Sequence, residues 1–165
     1  MRRTQRLPQY DYRASGAYFV TCCLRPRRPV FGRVTRVGVH LSPTGYLADG
    51  CWEAIPVHHP HVRLDAFVVM PDHIHGLLWI EPSPVTSRGA FRPRTFGTSH
   101  AGSLSVVIGT YKAAVTRSAR RQGLDLPNWQ PRFYEHIVRN ERALHAIRRY
   151  IRANPQRWFD RYGAG

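Results

Sequence analysis

Two histidines one residue apart, His73 and His75, stand in an apolar stretch that Pro71-Asp72 interrupts once. This pattern predicts two strands, Val62 to Met70 and His73 to Ile80, joined by a tight turn. Because side chains alternate between the two faces of a strand, both imidazoles point the same way. Adjacent imidazoles form half of a metal site, whereas a buried core rarely contains such a pair.

The remaining periodicity predicts two further strands, a hairpin and three helices. The strands span Ala17 to Leu24 and Phe133 to Arg139, and the short hairpin spans Phe31 to Leu41, with Val34, Val37 and Val39 on its apolar side. The helices span Pro43 to about Ile55, Leu104 to Arg121 and Glu141 to about Ala153, with Ser42, Ser103 and Asn140 as N-caps and Pro155 as the last stop.

This order of elements predicts an α+β fold. It fits a ferredoxin-like (RRM-like) antiparallel sheet with helices on one face and a β-hairpin inserted after the first strand. The other sheet face would then be open to a ligand. We expect residues 1–165 to form a single domain, with a basic N-terminal arm at 1–14 and a flexible basic loop at 81–102 that is rich in Pro, Ser, Gly and Arg.

The charge of the chain points to a polyanionic partner. With 25 Lys and Arg residues against 10 Asp and Glu residues, the net charge is +15, and Lys112 is the only lysine. A GC-rich genome could account for the excess of arginine over lysine, but not for the net charge, which favours nucleic acid. The candidate DNA-binding residues lie in the arm, the loop and two helices: Arg2, Arg3, Arg6, Arg13, Arg88, Arg92, Arg94, Lys112, Arg117, Arg149 and Arg152.

The three cysteines, Cys22, Cys23 and Cys51, are an odd number with two adjacent and do not make a disulfide framework. Free thiols are typical of a reducing compartment. The N-terminal sequence has no hydrophobic signal core, and no apolar run approaches the ~20 residues of a membrane span. We therefore expect a cytoplasmic protein.

The last predicted helix combines an apolar stripe with a basic ridge. At about 100° per residue, Leu144, Ile147 and Ile151 form the stripe, while Tyr150 and Asn154 fall together on its border. The solvent side is assigned to Arg142, His145, Arg148, Arg149 and Arg152. A border tyrosine can present its phenol over a sheet, but geometry alone favours an ordinary amphipathic aromatic.

Three motifs in this order resemble a known family. They are Met70-Pro71-Asp72-His73-Ile74-His75-Gly76, Trp129-Gln130-Pro131-Arg132-Phe133-Tyr134-Glu135-His136 and Tyr150-Ile151-Arg152-Ala153-Asn154-Pro155. The His-hydrophobe-His element is similar to that of the HUH endonucleases. Together the motifs resemble the IS200-like transposases of that superfamily, and most closely the REP-associated tyrosine transposases. The resemblance covers nearly the whole chain.

The resemblance implies a DNA transposase and endonuclease. Tyr150 would attack a phosphodiester in single-stranded DNA, forming a 5′-phosphotyrosine link and releasing a 3′-hydroxyl. A divalent metal ion, Mg²⁺ or Mn²⁺ in the family, would be held by His73, His75 and Asn154. Ligand chemistry alone leans toward Mn²⁺, Zn²⁺ or Co²⁺. The implied partner is single-stranded or hairpin (REP-like) DNA, and the protein would act as a monomer or homodimer.

Several residues keep two interpretations. Asp72 is a candidate for orienting a ligand histidine or a simple turn residue, while Glu135 and His136 could reach the site or lie on a solvated side of their strand. Tyr111 and Tyr134 are competing phenols, and Trp129 and Trp158 could stack on bases or close the core. For the whole chain, a non-catalytic single-strand binder and a phosphodiesterase that uses water are the alternative hypotheses.

Overall fold

A computed structural model describes residues 16–81 and 103–163 of the chain. The predicted arm, the loop beyond residue 81 and the candidate residues Arg2, Arg3, Arg6, Arg13, Arg88, Arg92 and Arg94 lie outside the described residues. The strands are β1 (Gly16–Arg25), β2 (Gly32–Thr35), β3 (Gly38–Leu41), β4 (Val62–Met70), β5 (His73–Ile80), β6 (Asn128–Trp129) and β7 (Tyr134–Val138). The helices are α1 (Pro43–Glu53), α2 (Ile55–His58), α3 (Leu104–Arg121) and α4 (Glu141–Tyr162).

The main sheet is antiparallel, with β1 at its centre. β5 pairs with one edge of β1 and in turn with β4, while β7 and the short β6 pair with the other edge. Taken without β6, the spatial order β4-β5-β1-β7 is that of a ferredoxin-like sheet, and β2 and β3 form a separate inserted hairpin. The predicted α+β, ferredoxin-like class is therefore confirmed.

One sheet face carries the larger core. The even-numbered apolar residues of β1, from Tyr18 to Leu24, pack with α1 and α3. Trp52 of α1 stacks on Phe67 with ring centroids 4.6 Å apart and planes 4° apart. The helices of this face begin where the sequence predicts, because Ser42 and Ser103 each accept a hydrogen bond from a backbone amide of the first turn.

Helix α4 corrects the prediction that the helices share one face. Its residues Leu144 and Ile151 pack on Ala17, Phe19 and Leu77, which belong to the opposite side of the sheet. The physical reason is that β1 is apolar on both sides, so its odd-numbered side chains also need a cover. The face that carries the histidines is thus not open but lies under a helix.

The end of α4 and the tip of the hairpin also differ from expectation. Pro155 lies inside α4, which continues to Tyr162. Losing one backbone donor is tolerated here because the following turns find tertiary contacts, with Trp158 packing 5.8 Å from the ring of His73. Val37 does not belong to an apolar side. It is 88% exposed, because the Thr35–Gly38 pairing leaves it in the two-residue turn of the hairpin.

None of the helices in the described part of the chain is long and apolar enough to cross a membrane. All three cysteines fall within these residues and are free thiols, as the sequence predicts.

Candidate active site

The two histidines lie side by side on a central strand, under α4. His75 pairs with Thr21 of β1 and with Val68 of β4, so its backbone is held from both sides. Both imidazoles are buried, at 6% exposure for His73 and 5% for His75. Their Nε2 atoms are 3.1 Å apart. The strand pattern predicted this shared direction, and the structure brings the two nitrogens together.

The outer nitrogen of His73 is held by a carboxylate. Its Nδ1 contacts Oδ1 of Asp72, while Arg27 donates from Nε to Oδ2 at 2.7 Å and from Nη2 to Oδ1 at 3.0 Å. Burial alone would raise the pKa of Asp72, but the hydrogen bonds from His73 and Arg27 outweigh it and hold that pKa well below its usual range. An ionised Asp72 can accept a hydrogen bond from Nδ1 of His73, and the neutral tautomer that carries this proton has its lone pair on Nε2.

His75 is held by a hydroxyl and an aromatic ring. Its Nδ1 is 2.8 Å from Oγ1 of Thr21, and its ring stacks on Phe19 with centroids 5.5 Å apart. Burial, followed by the neighbouring His73, lowers the pKa of His75 to about 3. His75 is therefore neutral at physiological pH, the state in which an imidazole nitrogen can bind a metal.

Tyr150 of α4 lies over the histidine pair. Its ring centroid is 5.3 Å from that of His75 and 5.9 Å from that of Phe19, and both contacts are edge-on. The guanidinium of Arg157 lies 5.5 Å from the same ring. With 38% of its surface exposed, Tyr150 can be reached by a large substrate. The single border tyrosine of the helix thus faces the histidines.

Asn154 follows Tyr150 by one helical turn and precedes Trp158 by one turn. Since Tyr150 contacts His75 and Trp158 contacts His73, the intervening Asn154 lies on the helix face that is turned toward the pair. Asn154 is 9% exposed, and its amide nitrogen is 3.5 Å from the carbonyl oxygen of Tyr150. Tyr150 and Asn154 thus lie one turn apart on the same face of α4, as the i,i+4 spacing predicts.

Two grooves flank Tyr150. One, of ≈ 560 Å³, runs between α4 and β7 and is lined by Phe19, Thr21, Tyr134, His136, Ala143, Ala146, Ile147 and Tyr150. The other, of ≈ 780 Å³, is lined by Ala146, Arg149, Tyr150, Arg152, Ala153 and Arg157. The first is mostly apolar and suits a base, whereas the second is basic and suits a phosphate backbone.

Other candidate residues lie away from this site. Glu135 pairs with Val20 of β1, and cross-strand partners share a face, so Glu135 points to the α1–α3 side. Lys112 and Arg117 are on α3, and Lys112 Nζ donates to the carbonyl oxygen of Gln130 at 2.9 Å. Lys112 thus contacts the backbone between β6 and β7 of its own chain.

The other candidate aromatic residues differ in whether they lie in the core or near the histidine pair. Tyr111 is buried and donates to the carbonyl oxygen of Ala48 at 3.2 Å, so its phenol is not available as a nucleophile. Trp129 packs 5.6 Å from Phe31 in the core. Tyr134 remains exposed at the edge of the apolar groove, and Trp158 lies against His73.

Sequence reasoning missed Arg27 and Arg157. Arg27 is 45 residues from its partner Asp72, and nothing in the local pattern of either residue points to the other. Arg157 follows Tyr150 by seven residues on one helix face, a spacing that could have found it had α4 not been ended at Pro155.

The donor set for a metal is incomplete without an amide. In residues 16–81 and 103–163 no group of three His, Cys, Asp or Glu side chains could hold a metal ion. A third protein ligand next to the two imidazoles would have to be a residue of another type, and Asn154 is the buried amide on the facing helix.

Comparisons with known proteins agree with this architecture. No family model matches the chain. It is 36% identical over 164 residues to an uncharacterized protein of Haemophilus influenzae (strain ATCC 51907 / DSM 11121 / KW20 / Rd), covering 95% of this chain and 89% of that protein. The two proteins belong to one family.

A solved structure extends the comparison to the fold. The chain matches a REP-associated tyrosine transposase bound to a REP hairpin with a TM-score of 0.61, covering 95% of this chain and 74% of the other, at 22% identity. The fold is that of a tyrosine transposase, and the resemblance inferred from the three motifs is confirmed at the level of the fold.

Proposed function

We propose that the protein is a metal-dependent transposase and endonuclease that cleaves and rejoins single-stranded DNA through a 5′-phosphotyrosine on Tyr150. The observation that carries this proposal is the contact between Tyr150 and His75, with ring centroids 5.3 Å apart, beside two Nε2 atoms that face each other. A partly exposed phenol thus lies over two buried imidazoles, and these are the nucleophile and the ligand nitrogens of the proposed reaction. The tyrosine-transposase fold supports the same reaction class.

The residues of the pair fit a divalent cation. Two donor atoms about 2.1 Å from one cation and at right angles to each other lie about 3 Å apart, close to the 3.1 Å between the two Nε2 atoms. Both outer Nδ1 atoms are occupied by Asp72 and Thr21, which favours lone pairs on the inner nitrogens. His73, His75 and Asn154 would hold the ion. When bound, it supplies Lewis-acid polarisation of the scissile phosphate.

The chain's own residues supply the rest of the reaction. The Tyr150 oxygen forms a bond to phosphorus while the bond to the 3′-oxygen breaks, so the phenol loses a proton and the departing 3′-oxygen gains one. Arg157 lies beside the Tyr150 ring and can contact the phosphate that approaches it. Reversal by another 3′-hydroxyl rejoins a strand without an external energy source.

We propose single-stranded DNA next to a hairpin as the substrate. The related structure is of a transposase bound to a REP hairpin. In this chain Arg149, Arg152 and Arg157 line the basic groove at Tyr150, and they can pair with consecutive phosphates. Binding through several phosphates weakens steeply with salt, so affinity should fall strongly between low and moderate salt.

The test is a denaturing gel with a labelled hairpin oligonucleotide and Mg²⁺ or Mn²⁺. The wild-type protein should give a covalently shifted band and a free 3′-end, and Tyr150→Phe should give neither. Tyr134→Phe is the matched variant, because Tyr134 is an exposed phenol that lines the apolar groove together with Tyr150 and also contacts Phe19. Tyr134→Phe should retain the adduct.

The same gel separates the alternatives. An adduct that survives Tyr150→Phe would refute the assignment of the nucleophile. Cleavage without a shifted band would indicate a phosphodiesterase that uses water, and binding without cleavage would indicate a single-strand binder.

A further inference from the structure

We propose that Asp65 and Arg148 form a clamp that positions α4, and with it Tyr150, over the histidine pair. This inference rests on the proposed function of Tyr150. The sequence pattern placed Arg148 on the solvent side of the helix, but the structure shows it half-buried against the sheet. Its Nε donates to Oδ1 of Asp65 at 2.9 Å and its Nη2 to Oδ2 at 2.6 Å. The pair joins residues 83 positions apart.

A β-bulge directs Asp65 toward α4. Between the pairs Leu64–Leu78 and Phe67–Gly76, β4 advances three residues while β5 advances two. Because of the extra residue, Asp65 and Ala66 both lie on the side of the sheet that α4 covers, where Ala66 packs in the smaller core with Leu144 and Ile151. Leu64 and Phe67 on either side pack toward the larger core. A regular strand would present one of these two residues to the wrong face.

The carboxylate of Asp65 is rigidly anchored on the sheet. Besides Arg148, it accepts from the indole Nε1 of Trp79 at 3.0 Å and from the backbone amide of Ala66 at 2.8 Å. The hydrogen bond from Arg148 is the main reason why the pKa of Asp65 lies well below its usual range. Four hydrogen bonds fix both carboxylate oxygens, so Asp65 offers α4 a fixed point.

The clamp fixes the rotation of α4 on the sheet, which the apolar stripe alone does not fix. At about 100° per residue, Arg148 and Tyr150 lie on opposite borders of the stripe formed by Leu144 and Ile151. Apolar contacts are non-directional and permit a helix to roll on a sheet. A bidentate ion pair on one border stops that roll and thereby sets where the phenol on the other border lies. Arg148 touches neither His73 nor His75, and so it is a positioning residue.

The first test needs no DNA. Ring-to-ring nuclear Overhauser contacts between Phe19 and Tyr150, whose centroids are 5.9 Å apart, report the position of α4. Contacts between Trp52 and Phe67 on the other face, 4.6 Å apart, report that the sheet is folded. We expect Asp65→Asn and Arg148→Gln to lose the first set and keep the second.

Two further variants sharpen this test. Arg148→Lys keeps the charge without the planar fork and should retain part of the Phe19–Tyr150 contact. Glu81→Gln is the matched control, since it removes an exposed ion pair between Glu81 and Arg63 of β4, 3.7 Å long, that does not reach α4. It should retain both sets of contacts. If Asp65→Asn and Arg148→Gln unfold, Arg148→Lys decides the test. Its Phe19–Tyr150 contacts should weaken while its Trp52–Phe67 contacts persist.

The second test is adduct formation at saturating DNA. Misplacement of a nucleophile by about an ångström costs up to about 100-fold in rate, so we expect at least about a tenfold loss in Asp65→Asn and Arg148→Gln. The dissociation constant of these two variants for the oligonucleotide should stay within about twofold of the wild-type value, because neither substitution removes a contact to a phosphate. The double variant should be no slower than the slower single variant.

Three results would overturn the clamp. They are Phe19–Tyr150 contacts that persist in both variants, an adduct rate that falls no further than in Glu81→Gln, or a loss of DNA affinity in parallel with the rate. If the wild-type protein forms no adduct, the proposed function fails, while the contacts measured without DNA still decide whether the clamp holds α4.

Discussion

Gly76, next to His75, has no room for even a methyl group. A Cβ built at this position would lie 2.2 Å from Cη2 and 2.3 Å from Cζ2 of Trp52, where ordinary contacts begin at 3.4 Å. The indole would have to retreat by more than an ångström. It cannot do so freely, because it is stacked on Phe67 at 4.6 Å and against the edge of Tyr111 at 5.3 Å.

We therefore expect Gly76→Ala to lower the free energy of unfolding by about 1–3 kcal/mol, the usual cost of overpacking a core. Urea titration measures this as a lower midpoint at an unchanged slope. Gly50→Ala is the matched control. Gly50 lies within α1 with nothing within 4 Å of a Cβ, so the same methyl group should stabilise the helix by about 0.5–1 kcal/mol.

A second substitution tests the cause. The atoms that clash belong to the six-membered ring of Trp52. A phenylalanine side chain at this position is smaller and would not reach as far toward residue 76. The pair Gly76→Ala and Trp52→Phe should therefore be less destabilised than the sum of the single variants. The reasoning is refuted if Gly76→Ala lies within about 0.5 kcal/mol of the wild type, the range of a neutral surface change, or if the two substitutions add without coupling.

Three further predictions concern single groups. Because the folded pKa of Asp65 lies below its unfolded value of about 3.9, its ion pair stabilises the fold fully above that pH and less below it. Urea unfolding should show Asp65→Asn less stable than wild type at neutral pH and the difference shrinking as the pH falls through that value. Arg27→Gln, which removes the two guanidinium hydrogen bonds to Asp72, should weaken Mn²⁺ binding by about tenfold or more in calorimetry; unchanged affinity would argue against His73 as a ligand. Burial raises the pKa of Cys22 to about 12, so a thiol reagent at pH 8 should label Cys22 only after unfolding, and labelling of the native protein would contradict this.

Local patterns predicted most of the individual elements. The bounds of β4, β5 and α3 coincide with the predicted ones, because turn residues or caps mark their ends clearly. The shared direction of His73 and His75 follows from strand alternation, and the shared face of Tyr150 and Asn154 follows from helical spacing. These relations lie within one element, where a fixed period links sequence to direction.

Relations between elements were harder to predict. Arg148 and Asp65, like Arg27 and Asp72, are joined only by the tertiary fold, and an arginine on a helical wheel looks like any solvated cation. The bulge that directs Asp65 has no marker such as glycine in Leu64 to Phe67. The side of the sheet to which Glu135 points was not predictable for the same reason, because it depends on which residue of β1 pairs with Glu135.

The covered face, however, did leave a signal in the sequence. A strand with one solvated side alternates apolar and polar residues, whereas Ala17 to Leu24 is apolar on both sides except for Thr21. Such a strand must be covered twice, and once α1 and α3 take one face, the last amphipathic helix is the element left for the other. Thr21 is the exception because it contacts His75, so the one polar residue in the run marks where the covered face becomes a site. The sheet therefore does not offer an open surface to DNA. Phe19 and Thr21, which contact His75, line the groove between α4 and β7 beside Tyr150. In the proposed reaction, the position of α4 therefore decides whether a phosphate and the phenol can meet.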